Sequence, residues 1–167
     1  LPFIPSVASA GTEHNLSGWA WSSNIGWISF NNTTGGGSIN YGVNKDASGD
    51  LVGYAWSSNI GWISLNSADE GGATNYGVTA AAGGALSGYA WSSNIGCVSF
   101  NSGELAGCPA SAENPTCAPK INRTSGEFSG WARACAGTVA GDCAGASRDD
   151  VWDGWISLKG ASPLYGV

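Results

Sequence analysis

Residues 16–31 read LSGWAWSSNIGWISFN, residues 51–66 read LVGYAWSSNIGWISLN, and residues 86–101 read LSGYAWSSNIGCVSFN. A fourth, degenerate copy opens as FSGWARA at Phe128 and resumes as GWISL at Gly154. The first three copies start 35 residues apart, and the fourth starts 42 after the third. Repetition at such a period means that one small unit recurs and that the fold is built by joining copies of it. A shorter element recurs between the blocks as Tyr41-Gly42-Val43, Tyr76-Gly77-Val78 and Tyr165-Gly166-Val167. Pro119-Lys120-Ile121 aligns with it in the third interval. Residues 3–7 fall at nearly the same distance before Leu16 as Val43 falls before Leu51, so they read as a further copy.

Each repeat therefore holds three short segments: A (the Y-G-V element), B (L-x-G-aromatic-A-W) and C (G-W-I-S-F). All are rich in aromatic and β-branched residues and are bounded by Gly, Asn and Ser, which is strand chemistry. Ser-Ser-Asn-Ile-Gly joins B to C as a tight hairpin, with Asn24 and Gly26 able to take positive φ. Its identity in three copies reads as a turn requirement rather than as a ligand site repeated three times. The chain is expected to be all-β, with four tandem three-stranded antiparallel meanders stacked face to face, as in a propeller, prism or solenoid. The expected bounds are an N-terminal strand or arm over 1–15, then repeats over 16–50, 51–85, 86–127 and 128–167.

Strand alternation sets the faces. In B, Trp19 and Trp21 share one face, while Leu16, Gly18 and Ala20 share the other. In C, Trp27 and Ser29 oppose Ile28 and Phe30. Both faces are apolar, so both are expected to be covered. This assigns Trp19, Trp21, Trp27, Trp56, Trp62, Trp91, Trp131 and Trp155 to the structural core. Sugar-stacking platforms are the competing role for these indoles.

Composition narrows the function. Of the 167 residues 43% are hydrophobic and only 11% are charged, with a net charge of -6. Nothing basic is clustered to neutralise phosphates, so a nucleic acid partner is not expected. No apolar run approaches the length of a membrane span. The single histidine, His14, excludes a multi-histidine metal site and reads as an exposed turn residue. Asp142, Asp149, Asp150 and Asp153 share one long loop without a calcium-loop pattern and read as a solvated loop. The chain is therefore not expected to be an enzyme, and no catalytic residue, metal or cofactor is assigned. Asn15, Asn31, Asn32 and Asn122 sit in N-x-S/T sequons, which decide nothing by themselves.

The repeats break where cysteines enter. Cys97 replaces the tryptophan found at Trp27 and Trp62, and Arg133 replaces the second tryptophan of B. Cys108 and Cys117 lie in an expanded C-to-A loop of repeat 3, and Cys135 and Cys143 in an expanded hairpin of repeat 4. Disulfides that staple long loops are the economical reading, with Cys135–Cys143 favoured by spacing. Among Cys97, Cys108 and Cys117 one thiol is left over, and Cys97 could reach either partner. Its core-type position favours Cys97 as a buried free thiol over an intermolecular bond. Paired cysteines and the Ala8-Ser9-Ala10 pattern suggest an exported, extracellular protein.

The block G-[WY]-A-W-S-S-N-I-G-W-I-S-[FL]-N followed by N-Y-G-V resembles tryptophan-rich tandem repeats of secreted or surface proteins predicted from bacterial genomes. The stretches Gly130–Cys135 and Trp152–Ser157 resemble a closing module of the same proteins. The resemblance covers residues 16 to 167. It implies an exported surface repeat protein and brings no catalytic residues.

Segment A occurs five times if residues 3–7 qualify, whereas B and C occur four times. In a closed ring the two terminal copies compete for one place. In an open stack each end exposes strand edges, which solenoids blunt with polar caps. No such cap is visible, and residues 1–10 carry no charged side chain. The expected function is a structural subunit of an extracellular filament, pilus-like fibre or surface layer. It would assemble with copies of itself by terminal strand addition, with Leu1, Phe3, Ile4 and Val7 at one end and Leu164, Tyr165 and Val167 at the other. The alternative is a carbohydrate-binding module, or an adhesin or stalk domain, with glycans as partners.

Overall fold

The computed structural model describes residues 15–35, 38–71, 74–161 and 164–167. Repeat 1 gives the hairpin β1 (Trp19–Ser22) and β2 (Gly26–Ser29), then the A strand β3 (Val43–Lys45). Repeat 2 gives β4 (Asp50–Ser57), β5 (Gly61–Ser64) and β6 (Val78–Ala80). Repeat 3 gives β7 (Leu86–Ser92), β8 (Gly96–Ser99) and β9 (Lys120–Ile121). Repeat 4 gives β10 (Phe128–Ser129), β11 (Trp131–Ala134), β12 (Trp155–Ser157), β13 (Lys159–Ala161) and β14 (Leu164–Gly166). Among the described residues no helix exceeds four residues, and the fold is all-β.

The repeats do not stack face to face as expected. They join edge to edge: β2 pairs with β4, β5 with β7, β8 with β11, and β12 returns to β1. The result is a closed antiparallel barrel of eight strands. The register recurs at every join, with Ser29 opposite Trp56, Ser64 opposite Trp91, Ser99 opposite Arg133 and Ser157 opposite Trp21. Closure pairs each hairpin edge with the next, and so removes the unpaired edges that a stack would leave at its ends.

The A strands extend the barrel into a second tier. The first half of β4 pairs with β3 and β6, and its second half pairs with β5 and β2. β7 bridges the tiers in the same way, through β6 and β8. Around this tier, Leu16 N donates to Val43 O, Leu86 N to Pro119 O, and Phe128 N to Val167 O. The C-terminal strand completes the circuit on repeat 1. There the Tyr165 ring packs edge-on against Trp27, and the Gly166 carbonyl lies against Gly18.

One glycine per repeat makes the passage between tiers possible. Gly18, Gly53, Gly88 and Gly130 all have φ between +89° and +99°. A Cβ there would collide with the carbonyl oxygen of Gly166, Gly42, Gly77 and Ala118 respectively. The kink thus needs both the left-handed backbone and the missing side chain.

Closure also decides which apolar face goes inside. An eight-stranded barrel leaves an interior only wide enough for side chains to fill. B contributes Ala20, Ala55, Ala90 and Ala132, and C contributes Ile28, Ile63, Val98 and Ile156, all buried. Phe30, Leu65, Phe100 and Leu158 form the next layer. Small residues on one strand and large ones on its neighbour interdigitate, and the remaining cavity is about 20 Å³. Four indoles per layer would not fit that bore. The tryptophan face is therefore convex and outward, which corrects the expected core. Trp21, Trp27, Trp62 and Trp91 are 37–40% exposed, and Trp19 and Trp56 are half-buried. Only Trp131 and Trp155 of the expected set are buried.

Gly53→Ala is expected to lower stability by about 3 kcal/mol, from left-handed strain plus the carbonyl clash. A denaturant melt measures it. Ala at the exposed turn position Gly83, where a Cβ meets nothing within 4 Å, serves as the control and should change little.

Candidate functional site

The outward faces gather the A strand of one repeat with the hairpin of the next into an aromatic cleft. At the join of repeats 4 and 1 the cleft holds Tyr165, Trp19, Trp21 and Trp27, with Trp21 and Trp27 rings 4.7 Å apart. At the next join it holds Tyr41, Tyr54, Trp56 and Trp62, with Trp56 and Trp62 rings 4.6 Å apart. These indole pairs are cross-strand partners in the hairpins, and such pairs stabilise a sheet by about 0.2–1 kcal/mol.

The third and fourth clefts are altered. In the third, Cys97 stands opposite Trp91 where Trp27 and Trp62 stand in the others. In the fourth, the Arg133 guanidinium lies 4.4 Å from the centre of the Trp155 ring. Arg133 is buried and donates to Asp153 O, Gly145 O and Ser147 Oγ, so it ties the long loop to the barrel. The Cys108–Cys117 disulfide packs with Leu105, Trp131 and Trp155 at that same cleft.

Polar groups frame the clefts. The Tyr76 hydroxyl lies 2.8 Å from Ser64 Oγ and 2.9 Å from Glu70 Oε2. Burial, with Glu70 alongside, pushes its pKa up to about 12. Tyr54 is raised by burial and by the Glu70 and Asp69 charges. Tyr89 is raised first by its hydrogen bond to Glu104 and then by burial. These tyrosines therefore present neutral hydroxyls. The kink glycines are capped by side-chain oxygens: Gly53 N donates to Asp69, Gly88 N to Asn101 and Gly130 N to Asn114.

The hairpin loops have a structural role that sequence reading gave only to the turn. Ser22, Ser57 and Ser92 accept from the backbone N–H of Asn24, Asn59 and Asn94. Each asparagine then reaches the preceding hairpin. Asn59 Nδ2 donates to Ile25 O, Asn94 Nδ2 to Ile60 O, and Asn24 Nδ2 to Val151 O. This clasp is a contact between repeats, and only the invariance of Asn in the three copies hinted at it.

Leu1, Phe3, Ile4, Val7 and His14 lie outside the described residues. Tyr165 and Val167 are half-buried in the closing strand. Cys108 pairs with Cys117 and Cys135 with Cys143, and Cys97 is a half-buried free thiol. The loop aspartates do not converge: Asp142 bonds Thr138, Asp150 pairs with Arg148, and Asp153 accepts from Trp155 N. No helix among the described residues is long and apolar enough to cross a membrane. No protein-family model, curated protein or solved structure matches the chain.

Burial raises Asp69 above the ordinary aspartate range. Its contribution to stability is therefore full below the unfolded pKa and is lost as pH rises through the folded one. Asp69→Asn keeps the oxygen that Asn101 and Asn114 supply elsewhere and removes the charge. It should raise the stability at neutral pH, by less than about 1 kcal/mol, seen as a higher melting temperature, with the gain vanishing in acid. A loss of stability at neutral pH would contradict this.

Proposed function

We propose that the protein is a structural subunit of an extracellular filament, pilus-like fibre or surface layer, built by strand addition between identical copies. The observation that carries this reading is how the second tier is filled. Between neighbouring B strands there are four seats, taken by the segments ending at Val43, Val78, Ile121 and Val167. The sequence holds a fifth A-like segment, residues 3–7, and the four seats among the described residues are already taken. In the assembly that segment, through Leu1, Phe3, Ile4 and Val7, completes the ring of the next copy. It does so by displacing that copy's own Leu164, Tyr165 and Val167 from the seat they hold. The low charge and the outward indoles favour contact between copies over repulsion. Two disulfides fit an oxidising compartment, and the role calls for no catalytic step.

Removing residues 1–10 should leave folded monomers, while the whole chain sediments as fibres visible by electron microscopy. Fibres of unchanged form from the shortened chain would end the strand-addition reading.

The exposed indole pairs favour a second reading, a glycan-binding barrel. Sugar rings stack their C–H faces on such platforms, and the neutral tyrosine hydroxyls supply hydrogen bonds at the rim. Titrating the protein with oligosaccharides should then quench tryptophan fluorescence saturably, and Trp27→Ala with Trp62→Ala should abolish the effect. Quenching that never saturates would remove this reading.

A further inference from the structure

Three of the five cysteines meet at one place. Cys97 stands on the outer face of β8, at the position of Trp27 and Trp62 in the other repeats. β8 and β11 pair antiparallel, with Ser99 opposite Arg133 and Val98 opposite Ala134. Directly after β11, Cys135 opens a one-turn 3-10 helix (Cys135–Gly137) that packs against β8, and it is bonded to Cys143. Cys97, Cys135 and Cys143 line one cavity of about 440 Å³, together with Tyr89, Ile95 and Asp142. An indole at position 97 would occupy this space, and cysteine leaves it open. Disulfides span Cα separations of about 4.4–6.8 Å. The packing of this turn against β8, with the three cysteines on one cavity, therefore suits a bridge between Cys97 and Cys135 as well.

We propose that Cys97 is the exchange partner of the Cys135–Cys143 disulfide. The Cys97 thiolate attacks Cys135 Sγ. A Cys97–Cys135 bond forms, the Cys135–Cys143 bond breaks, and Cys143 leaves as the thiolate. The three sulfurs balance among themselves, and no outside oxidant or reductant is consumed.

The exchange changes what the disulfide holds. In the pairing described above it closes a short loop within repeat 4. After exchange it staples β8 to β11, and so repeat 3 to repeat 4. That join is the one without an asparagine clasp. Asn24, Asn59 and Asn94 secure the other three joins, and repeat 4 carries the long loop where the clasp residue would be. The odd cysteine thus offers a covalent lock at the seam that, among the described residues, has no asparagine clasp, and it releases the repeat 4 loop in return.

Peptide mapping by mass spectrometry tests this on the whole oxidised protein. The protein is incubated at mildly alkaline pH, alkylated with iodoacetamide and digested in acid. The expected result is a Cys97–Cys135 linked peptide together with alkylated Cys143, in a proportion independent of protein concentration. Cys97→Ser should lose all alkylation at Cys143. Alkylation confined to Cys97, with Cys135–Cys143 as the only link at that loop, would overturn the exchange. A second variant, Cys143→Ser, leaves Cys97 and Cys135 as thiols. Diamide should then close a Cys97–Cys135 bridge within the monomer, and its failure to form would overturn the geometry.

Discussion

A sheet of eight short strands closes on itself only if its concave side is narrow and its convex side can be broad. Everything else in this protein follows from meeting that condition four times over. Alanine on B and isoleucine or valine on C make the narrow side. Tryptophan and tyrosine make the broad one. The kinked glycine lets each B strand leave one tier and enter the other, and the A strand of each repeat is handed on to the next hairpin. No repeat is therefore a unit by itself. In the first two clefts the A-strand tyrosine comes from one repeat and the tryptophans from the following one, so that Tyr41 serves the second hairpin and Tyr165 the first.

Much of this was legible in the chain. The 35-residue spacing fixed the repeat, the turn residues bounded three strands in each, and alternation sorted Trp19 and Trp21 from Leu16 and Ala20. What alternation does not contain is the sign of curvature. It separates two apolar faces without saying which one is concave, and that depends on how the sheet closes. Hence alternation alone reads the indoles as core, whereas only Trp131 and Trp155 are buried, in a separate cluster under the repeat 3 loop on the outer face. The choice between stacking and edge-to-edge joining was hidden for the same reason. It rests on contacts such as Ser29 with Trp56 and Asn59 with Ile25, which link residues about one repeat apart and leave no local mark. The competition between two terminal A segments for one seat could be stated from the count alone. The structure places the C-terminal segment in that seat.

The departures from the repeat all fall on the last two units, and each has a local cause. Arg133 replaces an indole because a long loop needs an anchor of several hydrogen bonds as well as a stacking partner. Trp152 on that loop packs against the end of the core that Ile25, Ile60 and Ile95 cover elsewhere. Cys97 opens a space beside the disulfide of that loop. The four-fold scaffold is thus regular where it must close and varied on the outside of one seam. That seam and the aromatic belt are where function is to be sought.

The whole arrangement requires the barrel to be closed through its first and last hairpins. The direct measurement is the nuclear Overhauser effect between backbone protons of Trp21 and Ser157, taken on the monomer at low concentration. Closure predicts a strong cross-peak there, with slow amide exchange on both strands, matching that between Trp56 and Ser29. Its absence, with fast exchange along β1 and β12, would mean that the repeats form an open array and that the seats of the second tier were miscounted.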